Sequence, residues 1–194
     1  MRVEVDRRWR VRLVADLDLP IDAEAAWRSV SDFRRYACLD IFHRRLELDG
    51  PQPRAGTTFS LEHGLLGISL TRVGRVLHWH EGRSYAFSDL SRRDSRKGFP
   101  HVYIYTVIPL EKGRCRFRVE VRGRWTARFL GRPLVRLWLR WILLKTAISI
   151  HNALLGDALR GRAAARNDDN GERRGNSRDL GARVAGWTDP GSRP

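Results

Sequence analysis

Three residues that can exchange protons or donate hydrogen bonds alternate along one segment of the sequence: His101, Tyr103 and Tyr105. Side chains two positions apart in a β-strand lie on the same face, so an extended segment would present all three together. Facing a cavity, they could hydrogen-bond a carbonyl or phenol group, or supply an acid and a base for proton transfer. Because the intervening Val102 and Ile104 are equally apolar, we favour core packing of the tyrosines, followed by ligand contact and then catalysis.

A second candidate group lies near the C-terminus, where a helix is expected. At about 100° per residue, Lys145 and Asn152 fall beside Trp141 and Ile148, close to the helix face that we expect to meet a sheet. A lysine buried there would need an acidic ligand group or a carboxylate partner. Otherwise its side chain extends to solvent, which we take as the default. The tentative ligand-binding set is His101, Tyr103, Tyr105, Phe117, Trp141, Lys145, Ile148 and Asn152.

The sequence gives little support for a metal site or for a catalytic nucleophile. His78 and His80 have the spacing of two metal ligands on one strand, but no third histidine is near them. We therefore expect no metal site and no cofactor. No Ser-His-Asp or Cys-His arrangement can be identified, and Gly64 and Gly67 do not lie between a parallel strand and a helix, as a phosphate-binding loop would. The sequence assigns no catalytic residue, and it favours a binding role over an enzymatic one.

The elements that would position these residues follow an α+β pattern. Alternating apolar and charged residues predict a first strand over 9–19, Asp22 is placed to cap a short helix, and a second short helix follows Asp32. About six strands come next, separated by turns such as 49–51 and 111–113. Strand, two short helices, strands and one long helix is an order typical of helices packed on one side of an antiparallel sheet.

The segment 130–162 predicts one long helix, beginning after the break at Gly131 and Pro133. Apolar residues recur along it in two sets. We expect the first set to face the sheet: Leu130, Leu134, Leu137, Trp141, Leu144, Ile148, Leu155 and Leu159. We expect the second set to lie outside, under a homodimer partner or a lipid surface: Val135, Leu139, Ile142, Leu143, Ile150 and Leu154. Arginines at every fourth position from Arg128 to Arg140 form a basic stripe, interpreted as solvated, with an anionic membrane surface or an acidic partner as the alternative.

The composition bounds the class of protein. The net charge is +15, and only three of the 37 basic residues are lysines. An excess of arginine is common in GC-rich genomes, and no nucleic-acid-binding motif accompanies it, so a nucleic acid partner is not expected. Cys38 and Cys115 lie far apart without a CxxC motif and the first residues are charged, which indicates a cytoplasmic protein. Residues 163–194 have few apolar side chains and are expected to form a disordered tail after a domain of residues 1–162.

Several segments resemble one known superfamily. They are Pro20–Trp27, Ser31–Tyr36, Gly56–Phe59, Ile108–Leu110, the turn at Gly113 and the long final helix. Together they are similar to the START-like (SRPBCC) superfamily of polyketide cyclase/dehydrase and lipid-transport proteins. The resemblance covers roughly residues 10 to 160. At Cys38–Asp40, where many relatives have a tryptophan and a proline, the sequence differs, so no catalytic residue is carried over.

The resemblance implies a helix-grip fold, in which a curved antiparallel sheet of about six to seven strands wraps around the long C-terminal helix. It also implies an elongated apolar cavity between sheet and helix. The function expected first is the binding of a hydrophobic or amphipathic small molecule such as a lipid, polyketide, quinone or steroid-like compound. Two alternatives stay open. One is an aromatase/cyclase-type enzyme that uses tyrosine, histidine or lysine; the other is a peripheral membrane or protein-interaction module that uses the C-terminal helix.

Overall fold

In the part of the chain that the structure describes, eight strands form one antiparallel sheet, in the order β1-β2-β8-β7-β6-β5-β4-β3. The computed structural model describes residues 1–65, 68–89, 98–125 and 129–184. The strands are β1 (Arg2–Val5), β2 (Arg10–Leu19), β3 (His43–Leu48), β4 (Thr58–Leu65), β5 (Ile68–His80), β6 (Ser84–Ser88), β7 (Gly98–Leu110) and β8 (Arg114–Arg124). The chain divides into two units, residues 1–155 and 156–194.

The expected number of six to seven strands was too low. The missed strand is β1, which pairs with β2 from Arg2 opposite Val14 to Val5 opposite Val11. Four residues with two charged side chains are too few to show a period of two, so this strand exists because the edge of β2 is there to pair with it.

Two short helices follow β2, as predicted: α1 (Ala23–Val30) and α2 (Phe33–Ala37). Each begins at an aspartate whose carboxylate accepts a hydrogen bond from the first turn. Asp22 Oδ1 accepts from the backbone N–H of Ala25 at 2.7 Å, and Asp32 Oδ1 accepts from that of Arg35 at 3.2 Å. These caps satisfy backbone donors that a short helix otherwise leaves exposed.

The hairpin of β7 and β8 sets which side chains face the interior. Lys112 and Gly113 adopt positive φ angles in its turn, and the register places Val107 opposite Phe117 and Tyr105 opposite Val119. The inward side chains from Tyr103 to Val107 and from Cys115 to Val121 are buried, while arginines of β8 alternate on the outward side. The predicted alternation along both strands is therefore confirmed.

The third helix, α3 (Arg132–Val184), packs against β2, β7 and β8, where Ile142, Leu143 and Thr146 line a crevice with Leu13, Tyr103 and Val121. Its buried residues within the first unit are Val135, Leu139, Ile142, Leu143, Thr146, Ala147, Ile150 and Leu154. All six residues expected outside are among them, and six of the eight residues expected inside are exposed, so the assignment of the two faces was wrong. Both faces are apolar, and periodicity alone cannot tell them apart.

In the second unit, 156–194, the described residues are helical up to Val184. Asp157 and Arg160, one turn apart, form an ion pair there. The helix thus extends past residue 162, where we placed the end of the domain, and the limits of the domain and the disorder of the tail stay predictions. Residues 185–194 lie outside the described part.

Candidate functional site

A wall of aromatic side chains lines the interior of the sheet. It is built by β6, β7 and β8, where Tyr85 pairs with Tyr105 and Phe87 with Tyr103 across the strands. The rings of Phe87 and Tyr103 stack at 4.8 Å, and the ring of Tyr105 lies 5.2 Å from that of Tyr85 and 5.6 Å from that of Phe117. All five side chains are at most 1% exposed. Such pairs stabilise the wall beyond the area they bury.

Two hydroxyl groups in this wall have no hydrogen-bond partner in the part of the chain that the structure describes. The Oη atoms of Tyr85 and Tyr105 are buried and make no hydrogen bond within the described residues. A buried polar group without a partner costs about 1 to 3 kcal/mol of stability. Burial also raises the pKa of both hydroxyls well above the usual range. Both groups are therefore neutral hydrogen-bond donors in an apolar interior.

The hydroxyl of Tyr103, in contrast, is paired with a histidine. Its Oη lies 3.1 Å from Nε2 of His43, while Nδ1 of His43 lies 2.6 Å from the carbonyl oxygen of Ala37. Because a carbonyl can only accept, Nδ1 carries the proton, and Nε2 accepts from the Tyr103 hydroxyl. Burial lowers the pKa of His43, which keeps the ring neutral. The result is a buried pair of a weak acid, the Tyr103 hydroxyl, and a neutral base, the His43 imidazole.

A buried carboxylate joins α3 to the segment after α2. Oδ2 of Asp40 accepts a hydrogen bond from the hydroxyl of Thr146 at 3.2 Å, and Oδ1 accepts from the backbone N–H of Phe42 at 3.0 Å. Asp40 belongs to the segment in which the sequence departs from the superfamily pattern. The departure therefore supplies a polar contact that orients the helix.

A cluster of polar side chains around Asp89 extends the site toward β4, β5 and β6. Asp89 is fully buried, and its Oδ2 accepts a hydrogen bond from Nη1 of Arg72 at 2.8 Å. Nε2 of His63 lies 3.5 Å from the same oxygen, and the ring of His63 lies 4.8 Å from that of His43. The charge of Asp89 is thus compensated by Arg72, and a chain of polar groups runs from Asp89 through both histidines to Tyr103.

A narrow crevice lies between Tyr103, at one end of this polar chain, and α3. Its lining residues are Leu13, Asp40, Phe42, Tyr103, Val121, Ile142, Leu143 and Thr146. Its free volume is about 10 Å³, enough for about one water molecule. An organic ligand could enter this crevice only if α3 or the side chains beneath it moved.

The sequence placed three of its eight candidate residues in this interior: Tyr103, Tyr105 and Phe117. Four others lie on the outward side of α3 and are exposed to solvent: Trp141, Lys145, Ile148 and Asn152. The side chain of His101 lies outside the described part of the chain. These four helix residues were chosen on the wrong assignment of the two helix faces. Their positions around the helix were correct, but the opposite face of the helix meets the sheet.

Sequence reasoning missed Asp40, His43, His63, Asp89 and Thr146. One signal was present: His63 is in phase with Phe59 and Leu61, which are buried on β4. Strand periodicity gives no signal for Asp40 and Asp89, since Asp40 precedes a strand and Asp89 follows one. Among the described residues, no group of three or more His, Cys, Asp or Glu side chains could hold a metal ion.

Comparison with known proteins assigns the family. Residues 9–160 match the family described as polyketide cyclase / dehydrase and lipid transport. The match spans more than half of the 194 residues, so the chain belongs to this family. The resemblance inferred from the motifs is thereby confirmed. No curated protein matches the sequence.

Solved structures show the same fold at low sequence identity. The Zhui aromatase/cyclase from Streptomyces sp. R1128 has 16% identity and a TM-score of 0.55, over 78% of this chain and 94% of that one. A START superfamily protein from Mycobacterium smegmatis has 14% identity and a TM-score of 0.57, over 75% and 97%. The di-domain ARO/CYC StfQ from the steffimycin biosynthetic pathway has 14% identity and a TM-score of 0.61, over 81% and 53%. The helix-grip fold is confirmed, and at these identities the likeness concerns the fold alone.

Proposed function

We propose that the protein binds a hydrophobic or amphipathic small molecule between the aromatic wall and α3. The observation that carries this proposal is that the hydroxyls of Tyr85 and Tyr105 find no hydrogen-bond partner among the described residues. A ligand atom that accepts hydrogen bonds from them would remove the cost of leaving two donors unsatisfied. The surrounding aromatic rings supply the apolar contact that ligand sites of this kind have.

The charges of the described interior favour a neutral ligand head. Tyr85 and Tyr105 are neutral donors, burial lowers the pKa of His43, and Arg72 is already paired with Asp89. A carboxylate would therefore meet no free cation there, and its desolvation would not be compensated. A ketone, quinone or ester carbonyl fits better. This favours a polyketide, a quinone, a steroid-like ketone or a lipid ester over a free fatty acid.

Entry of the ligand requires an opening of the interior. The crevice beside Tyr103 has room for about one water molecule, and the hydrogen bond between Thr146 and Asp40 closes it on the side of α3. We propose that α3 moves outward when a ligand enters, at the cost of this contact. Helix displacement of a few ångströms is within the ordinary repertoire of ligand-driven changes.

A competition experiment tests the proposal. The full chain is titrated with the neutral fluorescent probe N-phenyl-1-naphthylamine and the probe is displaced with the quinone menadione. We expect saturable probe binding and displacement, and weaker menadione binding in the double variant Tyr85→Phe/Tyr105→Phe, by about tenfold for two lost hydrogen bonds. The matched control is Tyr36→Phe, which also removes one buried tyrosine hydroxyl. Absence of saturable binding, or equal affinities in wild type and double variant, contradicts the proposal.

A second candidate function is acid–base catalysis of the aromatase/cyclase type. It is favoured by the contact between the Tyr103 hydroxyl and Nε2 of His43. The hydroxyl could protonate a carbonyl oxygen while the imidazole accepts a proton from a neighbouring carbon, which is the chemistry of an aldol cyclisation. The test is incubation with a poly-β-ketone chain made by a polyketide synthase. Faster ring closure with wild type and its loss in Tyr103→Phe support an enzyme, whereas identical products with and without the protein exclude it for that substrate.

We also propose that the protein acts in a reducing compartment, as expected for the cytoplasm. Cys38 and Cys115 are both free thiols in the structure. Burial raises the pKa of the Cys115 thiol to about 11 and raises that of Cys38, so neither is activated as a thiolate. Labelling of both thiols in protein taken directly from cells, before any reductant is added, tests this assignment.

A further inference from the structure

The outward side of α3 carries a continuous apolar surface, which we call the outer strip. It consists of Leu134, Leu137, Trp141, Leu144 and Ile148, which are between 43% and 66% exposed. They recur every three or four residues, so they lie side by side along the helix. Phe129, 87% exposed, precedes the helix. A contiguous apolar surface of this kind on a protein marks a contact with something else.

The charges around the outer strip select the kind of partner. At about 100° per residue, Arg140 lies along one edge of the strip and Lys145 along the other, and both are exposed. From Arg132 to Gly156 the sequence contains no aspartate or glutamate. An apolar strip with cations on both edges is complementary to a surface that is apolar inside and anionic at its boundary.

A second copy of the chain fits this surface poorly. A two-fold symmetric dimer would bring the outer strip of one protomer against the same strip of its partner. Arg140 and Lys145 would then approach the same cations of the other protomer, with no carboxylate of this helix segment to compensate them. A lipid surface has no such conflict, because phosphate groups lie beside its apolar region.

A membrane-spanning arrangement also fits poorly. Residues Arg132–Gly161 are long and apolar enough to cross a bilayer by length and composition. However, Leu139, Ile150 and Leu154 are fully buried within the unit of residues 1–155. Lipid could therefore reach only one side of the helix while the sheet covers the other.

We propose that the outer strip docks the protein on a bilayer that contains anionic lipids, with α3 lying in the plane of the surface. The leucines and Ile148 enter the boundary between headgroups and acyl chains, and the indole of Trp141 lies at headgroup depth, as amphipathic rings do. Arg140 and Lys145 bind lipid phosphates on either side. This docking is independent of any ligand in the interior and concerns a different surface of the same helix.

Vesicle flotation of the full chain tests the proposal. We expect the protein to float with vesicles of phosphatidylcholine mixed with phosphatidylglycerol at low salt, to bind them less as salt is raised, and to bind pure phosphatidylcholine weakly. Leu137→Glu and the double variant Arg140→Glu/Lys145→Glu should each bind the mixed vesicles at least about tenfold more weakly. Thermal melting establishes that each variant is folded.

Two variants on β5 serve as matched controls. Leu77→Glu changes an exposed apolar residue of similar accessibility, and Arg75→Glu reverses an exposed charge. Both should float like the wild type. The proposal is overturned if wild type does not bind mixed vesicles at low salt, or if these controls lose binding as much as the strip variants. It is overturned equally if sedimentation velocity shows a dimer that Leu137→Glu dissociates, because the strip would then be covered by a second copy.

Discussion

The hydroxyl of Thr146 donates a 3.2 Å hydrogen bond to Oδ2 of Asp40, and both residues are buried. This contact is made only when the side of α3 that carries Thr146 faces Asp40, so we expect it to favour the observed rotation of the helix. A buried donor and acceptor that are both satisfied specify orientation more strictly than apolar contacts, which tolerate several arrangements.

Replacement of Thr146 by valine should destabilise the protein by about 1 to 3 kcal/mol, because Oδ2 of the buried Asp40 carboxylate loses its partner while the volume is kept. Urea denaturation measures the difference. The control is Ser149→Ala on the flank of the same helix, with an expected change below about 0.5 kcal/mol. Equal stability of Thr146→Val and wild type would mean that the contact does not orient the helix.

The two buried tyrosines of β7 should respond in opposite ways to loss of the hydroxyl. Tyr105→Phe removes a donor without a partner within the described residues and should stabilise the ligand-free protein or leave it unchanged. Tyr103→Phe removes the donor to Nε2 of His43 and should cost about 1 kcal/mol. Chemical denaturation of both variants, side by side, checks the sign. The prediction fails if Tyr105→Phe is the more damaging of the two.

Stability should decrease as the pH falls through the mildly acidic range. Burial holds the pKa of His43 below the ordinary value of a histidine, about 6.5, so the unfolded chain binds a proton there more readily than the folded one. The free energy of unfolding therefore falls as the pH drops below about 6.5, the unfolded pKa, toward the folded pKa. The pKa values of the Asp16 and Glu120 carboxylates are also lowered, but they affect the free energy of unfolding only at lower pH, where carboxylates titrate.

Substitution His43→Gln isolates this contribution. A glutamine can donate to the Ala37 carbonyl and accept from Tyr103, but it does not titrate. We expect the stability of this variant to depend less on pH between about 7 and 5 than that of the wild type. His78→Gln on β5 is the control, since His78 is less buried and its pKa is lowered by burial and by His80. An unchanged pH slope in His43→Gln contradicts the assignment.

Removal of residues 163–194 tests the predicted limit of the domain. The segment has few apolar side chains, so it can bury little surface and should contribute less than about 0.5 kcal/mol. We expect the truncated protein to melt at the same temperature as the full chain. A clearly lower melting temperature would show that residues beyond 162 belong to the folded domain.

Local patterns were sufficient for most of the fold. Asp22 and Asp32 predicted the two helix starts because capping depends on side chains within one turn of the chain. The alternation of Tyr103 and Tyr105 with their neighbours, and of Phe117 on the next strand, predicted a shared buried face, since the period of a strand is fixed by its geometry. These three aromatic residues are therefore the part of the candidate site that could be predicted from the sequence.

The sequence by itself determined the family, the elements and the two apolar faces of α3, because each of these depends on residue types at short, regular spacing. Only the tertiary structure decided which face is inside, and with it that Trp141, Lys145, Ile148 and Asn152 face outward. Only the tertiary structure brought Asp40 to Thr146 and His43 to Tyr103, residues separated by 106 and 60 positions. Two equally apolar helix faces differ in burial only through the groups that meet them, and those groups come from distant parts of the chain.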